Sequence, residues 1–116
     1  MRPKGTTKPA AAPATGELFG RAVALHLEGR RDEALAEIEK ALEAGEQGPE
    51  VHAAAGYLRY ERKQFEEAAT AYRKLVELDP ENCVGWFNLA ATLQALGKWE
   101  EAGAMFDKAL ASDPNR

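Results

Sequence analysis

The side chains able to act as nucleophiles, bases or metal ligands are few and scattered. Cys83 is the single cysteine, and His26 and His52 are the two histidines. Cys83 stands just before a helical run, the setting in which a helix terminus can activate a thiol. A nucleophile also needs a base and an oxyanion site, and neither is indicated, so Cys83 reads as a small half-buried residue. His26 and His52 lie on separate helical runs with no carboxylate or cysteine at ligand spacing beside either. Neither has the converging partners of a functional titratable group; His26 reads as a surface or groove residue, His52 as a packing residue. One cysteine excludes an intrachain disulfide and a thiolate metal cluster. Gly45-Glu46-Gln47-Gly48 follows a helix instead of a strand and lacks a following Lys-Ser/Thr, so it is no phosphate loop. Glu66-Glu67 and Glu100-Glu101 open helices, where negative charge meets the positive dipole end. The expectation is a chain with no catalytic residue, no metal and no cofactor: not an enzyme.

Without chemistry of its own, the chain must act through its elements. Its 116 residues suit one small domain or a piece of a larger protein. A content of 45% hydrophobic and 29% charged residues fits a globular chain. No apolar run approaches the roughly 20 residues that cross a bilayer, which argues against a membrane partner. The opening MRPKGTTKPAAAPATG has basic residues but no apolar stretch behind them, unlike a secretory signal; the expected setting is cytoplasmic. Net charge is −4, unevenly placed: Arg2, Lys4 and Lys8 give the first 16 residues +3, and the remaining 100 carry 12 bases and 19 acids. A body of net charge −7 repels phosphate backbones, so nucleic acid is not an expected partner.

The elements repeat. At an interval of 34 residues, Ala34, Leu35, Ile38, Ala41 and Leu42 superpose on Ala68, Ala69, Tyr72, Leu75 and Val76, and these on Ala102, Gly103, Phe106, Ala109 and Leu110. The spacing i, i+1, i+4, i+7, i+8 draws one apolar stripe along a helix. The first halves agree more loosely: Leu18, His52 and Trp86 share a position, as do the small residues Ala22, Gly56 and Ala90. Gly29, Lys63 and Gly97 mark a break, followed by Arg31, Phe65 and Trp99. Asp79-Pro80 recurs as Asp113-Pro114, where proline ends a helix; in the first copy Gly45 can do so. The pattern predicts six helices near 17–28, 31–44, 50–62, 65–78, 83–96 and 99–112.

These residues resemble the tetratricopeptide repeat, a 34-residue helix-turn-helix unit. The third copy carries the resemblance most fully, through Trp86, Leu89, Ala90, Gly97, Trp99, Ala102, Phe106, Ala109 and Pro114. The second matches at Gly56, Phe65, Ala68, Tyr72 and Pro80, with His52 where a large apolar residue is usual. The first matches at Ala22, Gly29, Ala34, Ile38 and Ala41, with Arg21 and Arg31 in place of apolar or aromatic residues. The resemblance implies an all-α fold, an α-α superhelix of three repeats at 15–48, 49–82 and 83–116, after a Pro/Ala/Lys-rich tail or linker over 1–14. The small pairs Ala22 and Ala34, Gly56 and Ala68, Ala90 and Ala102 are expected where two helices meet. Tyr72, Trp86, Trp99 and Phe106 are expected to fill the wedges between units.

In this family the first helix of each repeat lines a concave binding surface. Carried over, that lining comprises Phe19, Gly20, Val23, His26 and Leu27, then Ala53, Ala54, Tyr57, Tyr60 and Glu61, then Phe87, Asn88, Ala91 and Gln94. A known use of the fold grips an acidic chaperone tail through lysine, asparagine and arginine. Those positions hold Phe19, Val23, Ala54, Val84 and Asn88 here, with no cation, so a carboxylate clamp is not expected. An apolar groove with Asn88, His26, Tyr57 and Tyr60 as hydrogen-bonding groups suits an apolar or amphipathic peptide of a protein partner. An alternative is a structural or self-associating segment of a larger multidomain protein. Met105, Phe106, Ala109 and Leu110 put apolar bulk on the last helix, near the end of the sequence. Three readings are open: the chain is cut from a longer protein, copies pair into a homo-oligomer through that helix, or the apolar surface is tolerated as it stands.

Overall fold

The computed structural model describes residues 17–113 and Asn115; the tail expected over 1–14 and the helix-ending Pro114 lie outside those residues. Six helices form: α1 Glu17–Leu27, α2 Arg31–Glu43, α3 Pro49–Glu61, α4 Phe65–Leu78, α5 Cys83–Ala95 and α6 Trp99–Ser112. No strand occurs among the described residues, and the fold class is the all-α helical repeat.

The helix breaks explain the spacing. Gly29, Lys63 and Gly97 have φ of 80°, 63° and 79°, a left-handed conformation that favours glycine. At each break two amides turn back on the helix just ended. Gly29, Lys63 and Gly97 donate to the carbonyls of His26, Tyr60 and Gln94, each at 2.9 Å. Arg30, Gln64 and Lys98 donate to those of Leu25, Arg59 and Leu93 at 2.8–2.9 Å. This pair of bonds satisfies carbonyls that a helix end otherwise leaves open. Gly45, at φ 90°, closes α2 in the same way, whereas α4 stops at Leu78, two residues before Pro80. Asn82 starts α5, its Oδ1 accepting from the Gly85 amide at 2.9 Å.

The chain divides after Gln47 into two compact units. In the first, α1 packs on α2, with Ala22, Ala34, Leu35, Ile38 and Ala41 buried. Arg21, a departure from the apolar pattern, crosses between these helices and donates to Glu37 Oε1 at 3.0 Å. In the second unit α3 packs on α4, α4 on α5 and α5 on α6. Its core gathers Ala68, Ala69, Tyr72, Leu75, Val76, Leu89, Leu93 and Ala102, with Trp86, Met105 and Phe106 packed against it. Small residues set the helix separations. A Cβ at Gly56 would lie 2.7 Å from the Tyr72 ring, and one at Gly85 3.0 Å from Leu75 Cδ2. Trp86 is pinned by its indole Nε1, which donates to the Pro80 carbonyl at 2.7 Å.

Trp99 does not fill a wedge as expected; it is 65% exposed. Its equivalent Phe65 packs edge-on against Tyr60, centroids 5.1 Å apart. At the position equivalent to Tyr60 the third repeat has Gln94, so that ring partner is missing for Trp99.

Candidate functional site

Tyr57, Tyr60 and Glu61 share one face of α3 at i, i+3 and i+4, and Asn88 and Ala91 share one face of α5 at i, i+3. With Tyr72 from α4 they enclose a hollow of about 250 Å³. Tyr72 is buried, and its ring lies against Gly56, where no side chain intervenes. Tyr57 and Tyr60 stay 43% and 36% exposed, which leaves aromatic surface available for contact. Burial, then the charges of Tyr57, Tyr60 and Glu61, push the Tyr72 phenol up to about 12. Five residues expected to line a groove, Tyr57, Tyr60, Glu61, Asn88 and Ala91, therefore converge on one place.

The other expected residues lie elsewhere. Phe87 packs edge-on against Phe106, centroids 5.5 Å apart, and with Cys83, Val84, Leu110 and Asp113 it lines an apolar cavity of about 380 Å³. Ala53 is half-buried against the core, and Gln94 is exposed. In the first unit Phe19 and His26 are half-buried while Val23 and Leu27 are exposed, Leu27 by 80%. The hollow of that unit is lined instead by charged side chains, including the Arg21–Glu37 and Arg30–Glu33 ion pairs. Sequence reasoning missed Tyr72 as a hollow residue, because the stripe position that marks it as core hides its second role.

Cys83 is the first residue of α5, half-buried and lining the apolar cavity. His52 is buried, its Nε2 makes no hydrogen bond among the described residues, and burial lowers its pKa, aided by Lys74 and Arg59. No group of three or more His, Cys, Asp and Glu able to hold a metal occurs among the described residues. Nor is any helix among them long and apolar enough to cross a membrane.

A family model for the TPR repeat matches residues 56–97 and one for the tetratricopeptide repeat matches 83–116. Together they run from Gly56 to the last residue, over the breaks at Lys63 and Gly97 and the starts of α4, α5 and α6. The chain belongs to the tetratricopeptide repeat family. Solved tetratricopeptide repeat structures show the same fold. The second such domain of Spaghetti (RPAP3), bound to the HSP90 peptide SRMEEVD, aligns with TM-score 0.76 and 19% identity over 83% of this chain and 89% of that one. YrrB, a repeat protein with an unusual peptide-binding site, aligns with TM-score 0.79 and 22% identity over 90% and 54%. MamA aligns with TM-score 0.79 and 14% identity over 84% and 57%. Among curated proteins, crooked neck of Drosophila melanogaster is 36% identical over 53 residues, 46% of this chain. The chain spans only 8% of that relative's length. Repeats of this family generally serve as non-catalytic scaffolds.

Proposed function

We propose that the chain is a non-enzymatic scaffold of three repeats, 15–48, 49–82 and 83–116, that receives an apolar or amphipathic peptide of a protein partner. The observation that carries this reading is the hollow where Tyr57, Tyr60, Asn88 and Ala91 converge. Aromatic side chains that are half exposed and rigidly backed make the strongest anchors, because truncating them removes much buried area. The repeat relation supplies the wider set: Phe19, Ala53 and Phe87 are equivalent, as are Val23, Tyr57 and Ala91, and His26, Tyr60 and Gln94, with Leu27 beside His26. A chaperone-type carboxylate clamp is not part of the proposal. The Spaghetti domain was solved with an acidic peptide, but Phe19, Val23, Ala54, Val84 and Asn88 offer no cation to hold one. The acidic body argues against nucleic acid as a partner, and a cytoplasmic setting goes with the reading.

The test is affinity for peptides selected from a displayed random library. Tyr57→Ala should weaken such binders about tenfold or more; unchanged affinity would remove the hollow from the binding surface. A second reading, an assembly segment that pairs with another copy, draws on the cavity where Val84, Phe87 and Leu110 are 62%, 53% and 58% exposed. Sedimentation velocity over a wide concentration range decides it: a constant monomer would exclude pairing, and association abolished by Leu110→Asp would support it.

A further inference from the structure

The hollow of the second unit is made of three phenol rings and one carboxylate. Tyr57, Tyr60 and Tyr72 supply the rings and Glu61 the charge; Asn88 and Ala91 complete the lining, and no Lys or Arg is among the described residues that form it. Its volume of about 250 Å³ falls below the roughly 300–1,000 Å³ of pockets that take whole small molecules. It fits one side chain. Phenol faces carry the negative end of the ring quadrupole and attract cations within about 6 Å of the centroid. The chain already makes such a contact: Lys108 Nζ lies 5.5 Å from the centroid of the Trp86 ring. The local field has the matching sign, since the Glu61 carboxylate, the group among them charged at neutral pH, opposes ionisation of the Tyr72 phenol. So does the larger one, with 12 bases against 19 acids after residue 16.

We propose that this hollow takes the cationic side chain, Lys or Arg, of the peptide laid across α3 and α5. The inference rests on the groove reading above and adds the partner's charge. The aliphatic stem of the incoming residue packs against Ala91 and the tyrosine rings, while its head group lies near Glu61. An acidic segment is rejected by the same groups.

Titration of 15N-labelled protein with N-acetyl-arginine amide and N-acetyl-lysine amide tests this, with N-acetyl-citrulline amide and N-acetyl-norleucine amide as neutral counterparts. The expected result is shifts at Tyr57, Tyr60, Glu61, Tyr72 and Ala91, with the cationic probes binding at least about fivefold tighter than their counterparts. Glu61→Gln should weaken the cationic probes and leave norleucine amide unchanged. Equal binding of arginine and norleucine amides, or no shift at these residues with any probe, would overturn the inference. Library peptides separate it from the reading beneath it. Binders that lose affinity on Tyr57→Ala yet carry no Lys or Arg would leave the groove standing and sink the cation. Binders indifferent to Tyr57→Ala would sink both.

Discussion

Lys63 holds a backbone conformation, φ 63°, that glycine holds at both equivalent positions. A residue with a Cβ pays about 1–2 kcal/mol there, against about 0.5–1 kcal/mol of glycine's extra unfolded-state freedom. Lys63→Gly should therefore raise the melting temperature by a few degrees. Gly97→Ala should cost about 0.5–1 kcal/mol after the same offset, all of it conformational, because a Cβ at Gly97 meets nothing within 4 Å. His52 titrates in the opposite sense to a paired histidine. Its folded-state pKa is lowered by burial, Lys74 and Arg59, so below about pH 6.5 the unfolded chain takes up a proton that the folded chain refuses. Stability is then fully present above that pH and falls as pH drops toward the folded pKa. Melting curves between pH 7.5 and 5.5 should show a steeper loss for the parent than for His52→Gln; parallel curves would contradict the assignment. Glycines at breaks were legible because left-handed turns select them. Lys63 was legible only by its register, and the exposure of Trp99 was not, because it depends on a partner ring that Gln94, five residues before it, does not supply.

At the scale of helices, contact distances are set by residues without side chains. Gly56→Ala places a methyl 2.7 Å from a buried ring, so Tyr72 must move or the helices must part. The expected cost is about 1–3 kcal/mol, together with weaker peptide binding because Tyr72 lines the hollow. Ala102→Leu, on a residue only 2% exposed, should cost a similar amount without touching the hollow. A Gly56→Ala protein with parent stability would show that α3 and α4 are not held at this separation. Most helix limits followed from the apolar stripe and the breaks, to within one residue of the structure at each end. The role of Gly85 did not, since its need for smallness comes from Leu75 and Val76 on a different helix. The candidate hollow was half legible: the period of 34 aligned Tyr57 with Ala91, but which residues meet depends on helix packing that no spacing encodes.

At the scale of the molecule, the proposed function rests on surfaces and not on reactive groups. The described residues of an acidic chain present a tyrosine-lined hollow and, on the face of α5 and α6, an apolar cavity. The two make different demands on a partner. The hollow suits a charged side chain on an apolar segment, and the cavity suits only apolar bulk. Raising salt should weaken a peptide held at the hollow through its charge and leave packing at the cavity largely unaffected. The most direct measurement is a crystal structure of the chain with a library-selected peptide. The account predicts that the peptide lies over Tyr57, Tyr60, Asn88 and Ala91. A peptide seated only against Val84, Phe106 and Leu110, with the tyrosines left bare, would contradict it.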